Sequence, residues 1–252
     1  MDDRPMYAAG LRLLVVGASS GIGHAVAESA AATGATVAVA ARRMDLLTAL
    51  ADAVGGSAFE LDVEDAAAIK SVVAEAAQTL GGLDAVVFTS TVVPFANIED
   101  TDVTTWVHAF SVNALGANNV LRAARPHLSE NGVVLIASSN DVGRPRAGTA
   151  AYSASKAALD EILHSWRNEH ADLSLIRVGI GPTADTEILR GADRDLLSLL
   201  FRSWVEHGQL PAQMSALNDV ANTLVSLVIT ARENPSVVPE IVQLSPRIRN
   251  AT

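Results

Sequence analysis

Short apolar runs alternate along the chain with longer segments in which apolar residues recur at the spacing of an α-helix. The runs lie at residues 11–16, 36–40, 58–61, 85–88, 133–137, 173–178 and 241–244. They are mainly apolar instead of alternating between apolar and polar residues, which is typical of strands buried on both faces. Helices are predicted to begin near Gly21, Asp45, Ala66, Asp102, Tyr152 and Asp219. This order predicts an α/β fold, a doubly wound parallel sheet of about seven strands with helices on both faces.

No Pro/Gly/Ser-rich linker, charge block or internal repeat divides the sequence. We therefore expect a single domain over residues 11–252, preceded by a loose leader at residues 1–10 that lacks the apolar stretch of a signal peptide. Residues 186–211, the cap segment, are amphipathic and precede the last helix and strand. Two interpretations stay open for this segment, a cap over a ligand cleft or an ordinary packing helix. Its apolar residues include Leu196, Leu197, Leu200, Phe201 and Trp204.

Composition narrows the class of protein. With 49% hydrophobic and 18% charged residues, the chain can bury a large core, and charges such as Glu28 and Arg42 interrupt every apolar stretch before it is long enough to cross a membrane. The net charge of -10 disfavours nucleic acid as a partner and leaves small molecules as the expected ligands. The absence of cysteine excludes disulfides and thiolate chemistry and fits a cytoplasmic protein. The six histidines show no ligand spacing, so we predict no metal.

A glycine-rich turn follows the first predicted strand and opens a helix. Gly17, Gly21 and Gly23 allow a tight turn, close approach of a pyrophosphate to the backbone and close packing of the helix on the sheet. The helix N-terminus then faces the anion. A simple strand-to-helix turn is the alternative interpretation. The candidate cofactor residues of this turn are Gly17, Ser19, Ser20, Gly21, Ile22 and Gly23.

The end of the second strand indicates which dinucleotide binds. Arg42 and Arg43 stand where an NAD site would place a carboxylate for the ribose hydroxyls. Guanidinium groups suit a 2′-phosphate, so NADP(H) is favoured and NAD(H) stays possible; two solvated arginines are the alternative. Asp62 and Val63 follow the third strand, where Asp62 is a candidate acceptor for the adenine amino group.

Tyr152 and Lys156 form the most specific feature of the sequence. A four-residue step places phenol and ammonium on one helix face, where the cation is expected to lower the phenol pKa of about 10. Ser139 ends the fifth strand at the ligand-binding edge, and its hydroxyl is suited to hydrogen-bond a reacting oxygen. The side-chain amide of Asn113 is a candidate anchor for a water that links Lys156 to solvent. Taken singly, each residue also has an ordinary structural interpretation.

Together these motifs resemble the short-chain dehydrogenase/reductase family, in its single-domain Rossmann-fold form, over nearly the whole chain. The resemblance implies a catalytic set of Asn113, Ser139, Tyr152 and Lys156. It implies that Tyr152 and Lys156 also contact the cofactor, and that Gly181, Thr183 and Thr186 hold the nicotinamide carboxamide and phosphates. It further implies a homodimer or homotetramer that pairs through helices around residues 102–125 and 152–170.

Three segments depart from the family pattern. Phe88-Thr-Ser-Thr91 replaces the usual Asn-Asn-Ala-Gly, although Thr89 and Ser90 still offer hydroxyl groups to a cofactor. Ile180 stands where a proline is usual, which removes a backbone constraint near the nicotinamide. Leu244-Ser-Pro-Arg247 replaces the usual Asp-Gly-Gly after the last strand. We therefore expect altered cofactor affinity with unchanged acid–base residues.

These features favour an NADPH-dependent carbonyl reductase or alcohol dehydrogenase that acts on a ketone, an aldehyde or a secondary alcohol. The substrate is expected to be uncharged or weakly charged. Two alternatives stay open, an NAD-dependent alcohol dehydrogenase and a non-catalytic sensor or scaffold that binds NADP(H). The predicted cleft lining is Val92, Val93, Phe95 and Val142, with Asn140, Asp141, Arg144 and Arg146 at the mouth.

Overall fold

Seven parallel strands form one sheet in the computed structural model, which describes residues 8–247. Their order is β3-β2-β1-β4-β5-β6-β7, so the chain winds outward in both directions from the centre and confirms the predicted doubly wound sheet. The strands are β1 Arg12–Val16, β2 Thr36–Ala41, β3 Ser57–Glu60, β4 Leu83–Phe88, β5 Leu128–Ser139, β6 Ser174–Ile180 and β7 Ile241–Leu244.

Helices cover both faces of this sheet. They are α1 Gly21–Ala32, α2 Met44–Val54, α3 Ala66–Leu80, α4 Val103–Phe110, α5 Ala117–Ala124, α6 Ala150–Glu169, α7 Arg194–Glu206 and α8 Leu217–Glu233. A π-helical segment, Ser111–Gly116, joins α4 to α5. The core beneath α1, α2 and α8 includes Leu47 and Leu224, and the core beneath α3, α5 and α6 includes Leu121 and Leu159. In residues 8–247 no helix is both long and apolar enough to cross a membrane.

Several element boundaries differ from the sequence prediction. β5 begins earlier than expected, and helix forms in only part of the cap segment, where Leu197, Leu200 and Trp204 are the buried residues. Ala8 is not loose: it is 3% exposed and its amide donates to the Thr33 carbonyl oxygen, so the expected leader is wrong for this residue. The rest of the predicted leader, residues 1–7, lies outside the described residues.

The carboxyl ends of the parallel strands meet at one edge of the sheet. Gly17 follows β1, Thr89 follows β4, Ser139 ends β5 and Gly181 follows β6. Parallel pairing of β1 with β4, β4 with β5 and β5 with β6 brings these positions together from distant parts of the chain. The motifs singled out in the sequence therefore lie together at the carboxyl edge of the sheet, where ligands bind in folds of this kind.

Candidate active site

Two adjoining cavities open at this edge. The long cleft, of about 680 Å³, is lined by the glycine turn, the end of β2, Asp62, Val63 and the start of the cap segment. The inner cavity, of about 250 Å³, is lined by Ser139, Tyr152 and Lys156. Both cavities are lined by Ile22, Thr89 and Thr186, so they adjoin along these residues.

Close approach explains the glycines of the turn. Gly17 has φ of 93°, and a Cβ there would lie 2.5 Å from the Ser90 backbone nitrogen. A Cβ at Gly23 would lie 2.4 Å from the Gly17 carbonyl oxygen, so any larger residue would force α1 away from β1. The N-terminus of α1 at Gly21 is thereby held at the long cleft, where backbone N–H groups suit an anion. This donor set fits a nucleotide phosphate.

Arg43, more than Arg42, engages the glycine turn. The Arg43 guanidinium donates to the Ser19 hydroxyl at 3.1 and 3.2 Å and to the Ser20 hydroxyl at 2.6 Å. Arg42 lines the same cleft with an exposed side chain. A guanidinium fixed by two hydroxyls is preorganised for an anion, which adds to the fit for a phosphate.

The other predicted cofactor residues also lie along the cavities. The exposed Asp62 carboxylate accepts from the Glu64 amide at 3.0 Å, and Val63 beside it is buried. Gly181, Thr183 and Thr186 line the inner cavity, and Thr186 reaches the long cleft.

The Thr89 hydroxyl forms its hydrogen bond within the protein. Its hydroxyl donates to the Val16 carbonyl oxygen at 3.0 Å, and its amide donates to the same oxygen at 2.8 Å. The side chain thus ties the end of β4 to the end of β1, which differs from the cofactor contact that we expected of this hydroxyl. Ser90 packs beside Gly17 and lines the long cleft.

Tyr152 and Ser139 meet in the inner cavity. The Ser139 hydroxyl oxygen accepts from the Asp141 amide at 3.0 Å, which leaves its own proton free to donate to the Tyr152 oxygen. Burial raises the pKa of Tyr152 to about 12, while the Ser139 hydrogen bond opposes this rise. The expected lowering of the Tyr152 pKa is therefore wrong for this structure, because desolvation outweighs the favourable contacts.

Lys156 is buried one helical turn beyond Tyr152. Its ammonium donates to the Ala137 carbonyl oxygen at 2.9 Å. Burial lowers the pKa of Lys156 to about 8, the negative charge of Asp160 opposes this shift and the positive charge of Arg177 adds to it. Lys156 is thus still mostly charged at neutral pH, and it loses its proton at a lower pH than an exposed lysine does.

The sequence interpretation missed a largely buried ion pair behind this set. Arg177 and Asp160 form a contact of 2.7 Å, and Arg177 also donates to the Ser139 carbonyl oxygen at 3.0 Å. The Ser138 hydroxyl donates to Asp160 at 2.7 Å. The available signals were a charged residue inside an apolar strand run and a carboxylate four residues after Lys156. These groups fix the end of β5, which carries Ser139.

Asn113 lies in the π-helical segment and is fully buried. Its amide oxygen accepts from the Thr91 hydroxyl and the Val92 amide, and its amide nitrogen donates to the Val92 carbonyl and the Ser155 hydroxyl. All four hydrogen-bonding positions of the amide are used, so the side chain links the residues that follow β4, Thr91 and Val92, to Ser155 of α6. This placement contradicts the expected role of the side-chain amide as a water anchor.

Apolar and aromatic residues wall the inner cavity. Val93, Phe95, Phe201 and Trp204 line it, whereas Val92 lines the long cleft. At its mouth Arg146 pairs with Asp141 at 2.7 Å and lies 4.8 Å from the Trp204 ring centroid. The opposite charges of Asp141 and Arg146 offset each other there. Across residues 8–247 no cluster of three or more His, Asp or Glu side chains is placed to hold a metal ion.

Comparison with known proteins agrees with the motifs and the fold. A model of the short chain dehydrogenase family matches residues 12–195. A glycine betaine reductase from Emericella nidulans is 31% identical over 242 residues, which cover 93% of this chain and only 18% of that longer protein. A dehydrogenase/reductase from Sinorhizobium meliloti superposes with a TM-score of 0.81 at 26% identity and covers 95% of both chains.

A short chain dehydrogenase from Burkholderia cenocepacia, solved in complex with NADP, superposes with a TM-score of 0.77 at 27% identity over 94% of this chain and 96% of its own. The family model covers more than half of the sequence, and the serine, tyrosine and lysine that carry the resemblance lie together in one cavity. The chain therefore belongs to the short-chain dehydrogenase family of NAD(P)-dependent oxidoreductases.

Proposed function

We propose that this protein is an NADPH-dependent carbonyl reductase that interconverts a ketone or aldehyde with its alcohol. One observation carries the proposal: Ser139, Tyr152 and Lys156 line an apolar-walled cavity that adjoins a cleft suited to a dinucleotide. A protein that only binds nucleotides has no physical need for a buried phenol, hydroxyl and ammonium in one place.

The long cleft would hold NADP(H). The glycine turn would hold the pyrophosphate, Arg43 and Arg42 the 2′-phosphate, and Thr183 and Thr186 the nicotinamide end. The bound nicotinamide supplies or accepts the hydride. The Burkholderia cenocepacia relative was solved with NADP, which supports this choice, and NAD(H) remains the alternative cofactor.

The protein's own residues would handle the proton. Tyr152 donates its phenolic proton to the carbonyl oxygen of the substrate, and Ser139 hydrogen-bonds the same oxygen. Lys156, charged below its pKa of about 8, favours the phenolate that remains. The raised pKa of Tyr152 keeps the phenol protonated at neutral pH, so the proton that carbonyl reduction requires is available on this side chain.

The walls of the inner cavity support an uncharged or weakly charged small-molecule substrate. Phe95, Phe201 and Trp204 offer apolar surface, and the Asp141–Arg146 pair cancels its own charge.

We also propose a cytoplasmic homodimer or homotetramer. Exposed Val103, Val107 and Leu115 lie on or next to the helices through which relatives pair, and light scattering of the purified protein tests this assembly.

Replacing Tyr152 by Phe tests the proposal, because it removes the proton donor and keeps the ring. We expect carbonyl reduction to fall by about 10²- to 10⁴-fold while the NADPH dissociation constant stays within about twofold of wild type. Activity is measured as NADPH oxidation over a panel of ketones and aldehydes, and binding by calorimetric titration. Retained activity would show that another group donates the proton. NADPH binding without turnover in wild type would favour the sensor alternative.

A further inference from the structure

The carboxylate of Glu187, which follows β6 in the sequence, forms an ion pair with the guanidinium of Arg43 at the end of β2. Glu187 Oε2 is 2.8 Å from Arg43 Nη1 and 3.3 Å from Arg190 Nη1. The same Arg43 donates to the hydroxyls of Ser19 and Ser20 in the glycine turn. Glu187 is 46% exposed and Arg43 30% exposed, so solvent and ligands reach the pair from the long cleft. An anion of the protein itself therefore occupies one of the anion-binding groups of this cleft, the Arg43 guanidinium.

The backbone directs Glu187 to this position. Asp185 has φ of 57°, in the left-handed region that residues other than glycine rarely adopt. The next residue, Thr186, packs against the glycine turn, with its Cβ 3.8 Å from where a Cβ at Gly21 would lie. The chain therefore bends back from β6 onto the turn and presents Glu187 to Arg43.

We infer that Glu187 is an internal competitor for the 2′-phosphate of the cofactor and sets how strongly this protein prefers NADP(H) to NAD(H). The inference rests on the proposed NADP(H) specificity. A carboxylate and a phosphate both bind a guanidinium through charge-assisted hydrogen bonds, and two anions on one guanidinium repel each other. The Arg43 hydrogen bond lowers the pKa of Glu187, so this carboxylate stays charged at neutral pH.

Displacement of Glu187 has a second consequence. Glu187 belongs to the cap segment, and Arg190, one turn further along, shares its carboxylate. When a phosphate displaces Glu187 from Arg43, the start of the cap segment loses its ion pair with the end of β2. Arg190, which lines the long cleft, then loses the carboxylate that balances its charge. Cofactor binding is thereby linked to the segment that walls the inner cavity.

The test compares two small ligands that lack nicotinamide, adenosine 2′,5′-bisphosphate and adenosine 5′-monophosphate, by calorimetric titration at one salt concentration. Glu187→Gln removes the charge and keeps the shape of the side chain. We expect Glu187→Gln to lower the dissociation constant of the bisphosphate about fivefold, because a half-exposed ion pair changes an affinity by about tenfold or less. The dissociation constant of the monophosphate should change by less than about twofold. Glu206→Gln is the matched control, since Glu206 is an exposed glutamate of α7 outside both cavities and should change neither affinity.

Repeating the substitution in an Arg43→Ala background completes a double-mutant cycle. The gain from Glu187→Gln should disappear there, because the competition takes place on Arg43. If wild type prefers the bisphosphate and Glu187→Gln brings no gain, or tightens both ligands equally, the competitor role is wrong and the NADP(H) specificity stands. If neither wild type nor variant distinguishes the two ligands, the NADP(H) specificity fails and the competitor role with it.

Discussion

Burial acts in opposite directions on the two titratable groups of the inner cavity. It raises the pKa of Tyr152 to about 12 because the phenolate is poorly solvated, and it lowers the pKa of Lys156 to about 8 because the ammonium is poorly solvated. At neutral pH the phenol therefore keeps its proton, whereas neutral pH lies only slightly below the pKa of Lys156. Of the two groups, Lys156 should govern the pH dependence on the alkaline side.

We expect the rate of carbonyl reduction to decline above a pH of about 8, as Lys156 loses the charge that favours the tyrosinate. Asp160→Asn should move this decline to lower pH, because the Asp160 charge raises the pKa of Lys156 and the charge of Arg177, left unpaired, lowers it. The pH–rate profile under saturating substrate measures both effects. Glu161→Gln, an exposed change of the same charge on α6, is the control, and coinciding profiles for wild type and Asp160→Asn would contradict the assignment.

At the scale of elements, α7 packs against the loop between β5 and α6 and forms a hydrogen bond to it. The Trp204 indole N–H donates to the Ala147 carbonyl oxygen at 2.9 Å, and Arg146 of the same loop lies over the Trp204 ring. Leu200 packs where a Cβ at Gly148 would stand. This loop connects Ser139 to Tyr152, so the position of α7 and the shape of the inner cavity are coupled.

Trp204→Phe should raise the KM for the carbonyl substrate about fivefold with little change in kcat. The substitution keeps an aromatic wall and removes one hydrogen bond, which is worth on the order of 1 kcal/mol. Steady-state kinetics on the best substrate of the panel measure the change. Trp166→Phe is a matched control, because it also removes an indole hydrogen bond, here to Asn118 and away from both cavities. Equal effects of the two substitutions would indicate a general loss of stability instead of a role for α7.

At the scale of the whole molecule, Asp84 joins elements at the edge of the sheet opposite the cavities. Its carboxylate, 2% exposed, accepts from the Arg12 guanidinium at 2.9 Å and from the Ser129 hydroxyl at 2.9 Å, with Arg232 of α8 at 3.4 Å. These hydrogen bonds outweigh the cost of burial and hold the pKa of Asp84 well below its usual range. Folding therefore favours the ionised form, which stabilises the protein above the unfolded-state pKa of about 4.

Asp84→Asn should lower the free energy of unfolding by about 2–4 kcal/mol at pH 7, because it leaves the Arg12 charge without its buried partner. The difference from wild type should narrow as the pH falls below about 4, where wild type loses the contribution of this carboxylate. Urea unfolding at both pH values measures it. Asp172→Asn, which breaks an exposed ion pair with Arg125, should cost less than about 1 kcal/mol. A pH-independent difference for Asp84→Asn would contradict the linkage.

The sequence by itself determined the order of elements, the parallel sheet and the positions of the main motifs. Apolar runs and helical spacing are local properties of the sequence, and Gly23 meets a local need for close approach to the Gly17 carbonyl oxygen. Tyr152 and Lys156 share a helix face because four residues make about one turn. These features need no knowledge of distant parts of the chain.

Only the tertiary structure decided which side chains meet and how deeply they are buried. It brought Glu187 to Arg43 and Arg177 to Asp160, it filled the hydrogen-bonding positions of the Asn113 amide, and it set the direction of the Tyr152 pKa shift. Such contacts join residues that are far apart in sequence, and desolvation depends on every element that packs around a group. No local pattern of residues encodes either quantity.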